Sequence, residues 1–177
     1  MAMLVLCVLV CHVTAWINQF DEPFTFTCPA ETSLIHVVSS HDNYHQDRVW
    51  EFSCRAPPHH DAKMINCEWT GKYQNEFDQP LTFQCARDGL IAGISSVRND
   101  YHEDRRFKFY CCEVPGYIPG SCYFTPYVNN LNEHMDYVVP GGKVMRGIDS
   151  YHDNHKEDRR FKFEICGLVA HDSTILG

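Results

Sequence analysis

The chain has 177 residues and a formal net charge of −8, with 21% charged and 44% hydrophobic side chains. That length suits one domain with a core of its own. The acidic balance argues against general nucleic-acid binding, which needs a basic face to neutralise phosphates, so any anion-binding region has to be a local patch.

Residues 1–15, MAMLVLCVLVCHVTA, form an uncharged apolar run that ends on small residues before Trp16. They read as a secretory signal peptide cleaved after Ala15, with an uncleaved anchor as the rival reading. The run is short of the roughly 20 residues that cross a bilayer comfortably, and no later segment reads as transmembrane. Residues 16–177 are then a single domain containing eight cysteines: Cys28, Cys54, Cys67, Cys85, Cys111, Cys112, Cys122 and Cys166. An even count in a secreted chain predicts a disulfide framework. No C-x-x-C occurs, which disfavours a zinc site built on cysteine, and no N-x-[ST] acceptor occurs either.

The stretch EDRRFKF occurs twice, at Glu103–Phe109 and Glu157–Phe163, and QDRVWEF at Gln46–Phe52 is a looser copy. Their aspartates, Asp47, Asp104 and Asp158, stand 57 and 54 residues apart, and the likeness extends upstream without a gap. Phe26, Phe83 and Tyr137 match, as do Cys28, Cys85 and Val139, and Ser39, Ser96 and Ser150. Such self-similarity marks one supersecondary unit used three times, here over about 23–55, 80–112 and 134–166.

In chain order each unit reads as a short strand (PFTFTC in the first), a second strand (LIHVVSS), a polar turn and a third strand (RVWEFSC). All are rich in β-branched and aromatic residues and bounded by turn formers. Residues 55–79 and 113–133 carry Pro-Pro and Pro-Gly pairs and read as connecting loops pinned by Cys67 and Cys122. The fold class is all-β: three internal repeats in a pseudo-threefold, β-prism-like domain, with a β-trefoil as the alternative.

Side chains alternate faces along a strand. Trp50 and Phe52, Phe107 and Phe109, and Phe161 and Phe163 share the inward parity. Arg48, Arg105 and Arg159 share it too, and the expectation is that they pack on aromatic rings and spend their guanidinium groups on loop carbonyls and carboxylates. The structural motif is therefore Asp47, Arg48, Trp50; Asp104, Arg105, Phe107; and Asp158, Arg159, Phe161. On the outward row stand Arg106 and Lys108, and Arg160 and Lys162, but Val49 and Glu51 in the first copy. These four basic residues are the candidate anionic-glycan site, arginine forking onto sulfates. The plainer reading is a solvated strand face balanced by Glu51, Glu113 or Glu164.

The turns hold His41, His45, His102, His152 and His155 beside Asp42, Asp100 and Asp153. Asx residues in turns need no ion to explain them, so no metal and no cofactor is expected.

Three copies of D-R-x-[WF]-x-F, the adjacent Cys111-Cys112 and the Gly89–Gly93 segment GLIAG resemble the dermatopontins, small acidic secreted proteins of the extracellular matrix whose invertebrate members include agglutinins and cell-aggregation factors. By position, the resemblance implies disulfides Cys28–Cys54, Cys67–Cys111, Cys85–Cys112 and Cys122–Cys166. The repeat itself aligns Cys111 with Cys54 and would pair it with Cys85. The chain lacks a further cysteine pair and the tyrosine-rich N-terminal segment of vertebrate members, so functions tied to that segment are not implied.

What the resemblance implies is binding without catalysis, by a protein secreted to the matrix or extracellular fluid. The implied partners are proteoglycans and glycosaminoglycans or cell-surface glycans, and matrix proteins; a homo-oligomer is compatible with this. The alternative is a soluble agglutinin of innate defence using the loops around Tyr44, Tyr101 and Tyr151. No G-x-S-x-G, H-E-x-x-H or phosphate loop points to an enzyme.

Overall fold

The computed structural model describes residues 16–171; the signal-peptide expectation lies outside the described residues. Within them the chain forms eleven strands and no helix: β1 (Phe24–Thr27), β2 (Ser33–Asp42), β3 (Asp47–Arg55), β4 (Ile65–Trp69), β5 (Leu81–Gln84), β6 (Leu90–Asn99), β7 (Asp104–Glu113), β8 (Tyr117–Phe124), β9 (Met135–Val138), β10 (Lys143–Asp153) and β11 (Asp158–Ala170). The all-β expectation holds.

Each repeat supplies one long hairpin: β2 with β3, β6 with β7, and β10 with β11. Its short first strand does not join its own hairpin. Instead β1 pairs with β6, β5 with β10, and β9 with β2. Each of the three sheets thus borrows a strand from another repeat, and the exchange closes into a cycle. The register repeats as well, setting Phe26 against Ile94, Phe83 against Ile148, and Tyr137 against Val37. A bulge falls at the same place in each hairpin, between Leu34 and His36, Ile91 and Gly93, and Met145 and Gly147. This pseudo-threefold arrangement is consistent with the prism-like expectation.

The segments read as connecting loops contain strands: β4 pairs with β7, and β8 with β11. Pro119 and Gly120 obscured β8, because an edge strand tolerates both, and β4 is only five residues long between turn-rich flanks. They give two sheets four strands, whereas the β3-β2-β9 sheet has three.

Where the three sheets meet, Trp50, Phe107 and Phe161 contact one another near edge-to-face, with ring centroids 6.2, 5.5 and 6.1 Å apart. That geometry is favoured by the ring quadrupoles, and each large side chain contributes about 1.5–3 kcal/mol by leaving water. Val37, Ile94, Ile148, Phe109 and Phe163 pack in the same core.

The bridges are Cys28–Cys54, Cys85–Cys111, Cys67–Cys112 and Cys122–Cys166. This corrects the pairing that the family resemblance implied for Cys67 and Cys85. The cause is strand parity: adjacent residues of β7 face opposite sides, so Cys111 packs with Cys85 against the main core, and Cys112 with Cys67 in a second apolar cluster that includes Leu90, Val144 and Cys166. Both bridge types recur. In the third repeat, buried Val139 and Ile165 occupy the places of Cys85 and Cys111.

Candidate functional site

The two parities of the repeated stretch build two different structures. On the inward parity, Arg48 donates from Nε and Nη2 to the two carboxylate oxygens of Asp158 at 2.6 and 2.7 Å. Arg105 does the same to Asp47, and Arg159 to Asp104, all at 2.6 Å. Every arginine grips the aspartate of a neighbouring repeat, so three bidentate pairs form a closed ring above the aromatic cluster. All six residues are buried. Each Nη2 also donates to a loop carbonyl, of Glu133, Glu22 or Gln79. Losing one partner would strand a buried charge, at a cost of about 3–5 kcal/mol.

Three asparagines that sequence reasoning missed complete the ring. Asn18, Asn75 and Asn129 donate to the carbonyls of Arg48, Arg105 and Arg159, and accept from the amides of Trp50, Phe107 and Phe161. They stand 29 residues before each motif aspartate, and extending the repeat alignment upstream would have found them. The same extension aligns Trp16 with Tyr73 and Tyr127, and Asp21 with Asp78 and Asn132. Asp47, Asp104 and Asp158 accept the backbone amides of that last set.

On the outward parity, Arg106 lies 4.6 Å and Lys108 4.8 Å from the Tyr73 ring centre. Arg160 and Lys162 lie 4.3 and 4.4 Å from that of Tyr127. Each tyrosine thus holds two cations half out of solvent, the ring face attracting the charges while the aliphatic stems pack along apolar surface. The two clusters stand on separate sheets, on β7 and β11. The nearby acids differ from those expected: Glu76 pairs with Arg106 at 3.1 Å, and Asp149 lies opposite Lys162. Glu113 pairs with Arg87, and Glu164 is buried and accepts from Gln84. Glu51 faces Val38 in the first sheet, where no cation cluster forms.

The turn histidines are dispersed. His45 pairs with Asp21 at 3.1 Å and His102 with Asp78 at 2.6 Å, while His155 is exposed. Asp42 and Asp153 cap their turns by accepting two backbone amides each, and those bonds, the one from His45 foremost, hold Asp42 below the ordinary carboxylate range. Asp100 pairs with Arg98. Tyr44 and Tyr101 are each 90% exposed at hairpin tips, whereas Tyr151 contacts Tyr127, with ring centres 5.5 Å apart.

A closed cycle of three sheets, an internal arginine–aspartate ring and two outward cation–aromatic clusters define a disulfide-bonded all-β repeat domain. The profile described as dermatopontin matches residues 18–170, and the chain belongs to the dermatopontin family. It is 38% identical to the hemagglutinin/amebocyte aggregation factor of Limulus polyphemus, over 87% of this chain and 88% of that one. It is 34% identical to Millepora cytotoxin-1 of Millepora dichotoma, over 87% and 67%. It is 37% identical to a dermatopontin of Biomphalaria glabrata, over 86% and 99%. No solved structure matches the chain. Among the described residues, no helix is long and apolar enough to cross a membrane.

Proposed function

We propose that this is a secreted, non-enzymatic protein of the extracellular matrix or cell surface that binds sulfated glycans of proteoglycans through Arg106 and Lys108 and through Arg160 and Lys162. The observation that carries this reading is the duplicated cluster: two cations flanking a tyrosine, once on β7 and once on β11. Each cluster presents a forked donor and a point charge at strand spacing, chemistry suited to sulfate groups along a chain. Two such sites per chain also suit cross-linking, in keeping with an aggregation factor among the relatives.

The test is retention on immobilised heparin at rising salt. The wild type should elute at moderate ionic strength, since these contacts are exposed and screened, and R106E/K108E/R160E/K162E should flow through. Unchanged retention of that variant would overturn the site.

A second reading, a soluble agglutinin recognising neutral sugars, is favoured by the exposed Tyr44 and Tyr101 and by a broad groove lined by Trp69, Thr82, Gln84 and Arg87. Agglutination blocked by simple hexoses and indifferent to heparin would support it over the first.

A further inference from the structure

The ring has three seams between repeats, and one position is arginine at one seam and histidine at the other two. Six residues before the motif aspartates stand His41, Arg98 and His152. At the seam between the first and second repeats, buried Arg98 reaches Asp21 at 3.1 Å and Asp47 at 3.9 Å, so a fixed positive charge sits among the carboxylates. Where the first repeat meets the third, His41 meets the carbonyl of Glu157 at 3.3 Å, and Asn132 replaces the acid that Asp21 supplies elsewhere. That seam has less negative charge to answer.

The seam between the second and third repeats retains its acids but has no arginine at this position. His152, with a side chain 1% exposed, lies with Nε2 3.9 Å from Asp104 Oδ1 and 3.7 Å from Glu157 Oε2, and with Nδ1 3.7 Å from Asp78 Oδ1. None of these gaps is a hydrogen bond. Nδ1 meets Asn154 Oδ1 at 3.1 Å, and because that oxygen only accepts, Nδ1 carries the hydrogen and Nε2 of the neutral ring presents its lone pair. Nε2 is buried without a partner, as is Asp78 Oδ1. A lone pair facing two carboxylate oxygens repels them unless a proton or a metal cation lies between.

We propose that this seam binds a divalent cation of the zinc type, with His152, Asp104 and Asp78 as ligands and Glu157 as the fourth. Zinc bonds to nitrogen and carboxylate oxygen are roughly 2.0–2.2 Å long, so an ion can bridge ligand pairs 3.7 and 3.9 Å apart. Ligand atoms of Asp78, Asp104 and His152 lie within 4.8 Å of one another, and Glu157 Oε2 lies 3.7 Å from His152 Nε2. Asn154 serves as the outer partner that orients a metal-bound imidazole. One imidazole with few oxygens fits zinc or cobalt better than calcium, which takes six to eight oxygens. The eight cysteines among the described residues are all in disulfides, so none of them offers a competing thiolate. The ion would do at this seam what the Arg98 guanidinium does at its neighbour, binding two repeats together.

The test uses the secreted chain stripped with chelator. Zn2+ should bind at one site by calorimetry and raise the melting temperature by about 5–10 °C at a hundredfold excess over Kd. Co2+ should give the visible absorption of a nitrogen–oxygen site, and Ca2+ should do neither. H152R, which installs the residue of the first seam, should melt in chelator at or above the metal-free wild type and ignore Zn2+. Absence of Zn2+ binding to the wild type overturns the proposal. So does a full Zn2+ response in H152R, which would place binding elsewhere. Stability that rises in chelator as imidazole protonates, with no response to Zn2+, would show that the seat takes a proton instead.

Discussion

Glu157 shows how one side chain is set by its place in the repeat. It lines the small cavity of about 20 Å3 over the arginine–aspartate ring, together with Gln46 and Glu103, which hold the same position in the other copies. All three take a left-handed backbone, with φ of 45–49°, at the turn into the third strand. Burial, with Glu103, Asp78 and Asp104 nearby, raises the Glu157 pKa above its ordinary value, and His152 opposes the shift. A carboxylate whose folded pKa lies above its unfolded one stabilises the fold below the unfolded value and loses that contribution as pH rises through the folded value. Ionised Glu157 is therefore a cost at neutral pH. E157Q, which copies Gln46, should raise the melting temperature in chelator by about 1–2 °C at pH 7, with the gain vanishing near pH 4. A variant less stable at pH 7 than the wild type would refute this account of the turn.

At the scale of elements, the third repeat is a natural control for the disulfides. It forms the same hairpin and the same borrowed-strand pairing with Val139 and Ile165 where the second repeat has Cys85–Cys111. That bridge is therefore not required to specify the unit. C85V/C111I should fold, keep the other three bridges by peptide mapping, and lose about 2–4 kcal/mol in denaturant unfolding; scrambled pairing of Cys112 would contradict the assignment of the two cysteines to separate faces. Much of this architecture was legible from the sequence, because strand alternation and the repeat are local. The parity of Phe107 against Arg106 could be counted directly. What stayed hidden depended on closure: Arg48 meets an aspartate 110 residues away, and no local pattern states that short strands are exchanged between repeats. β8 escaped because an edge strand tolerates the Pro and Gly that mark loops, and β4 because five residues, INCEW, make a weak signal between turn-rich flanks. The tyrosines under the basic pairs lie in those same segments, so the outward cations were visible while their anchors were not.

The whole molecule sets two small basic clusters on a chain with a net charge of −8. A polyanion is repelled by the protein at long range and held only on contact, so each cluster alone should bind weakly, and function would rest on using two sites at once. The clusters occupy different sheets, and on the proposed function one chain would engage two strands or two surfaces. Linked sites exceed either alone through effective concentration when geometry allows both to be filled. R106E/K108E and R160E/K162E should therefore each retain weakened heparin binding, yet each should lose aggregation of heparin-coated beads or of cells, with the loss much larger than the loss of binding. The wild type should show a bell-shaped dependence on soluble heparin, as excess ligand fills the two sites separately. If either single-cluster variant aggregates beads as well as the wild type, valence does not come from the two clusters of one chain. Sedimentation of that variant would then show whether self-association of the chain supplies the second site.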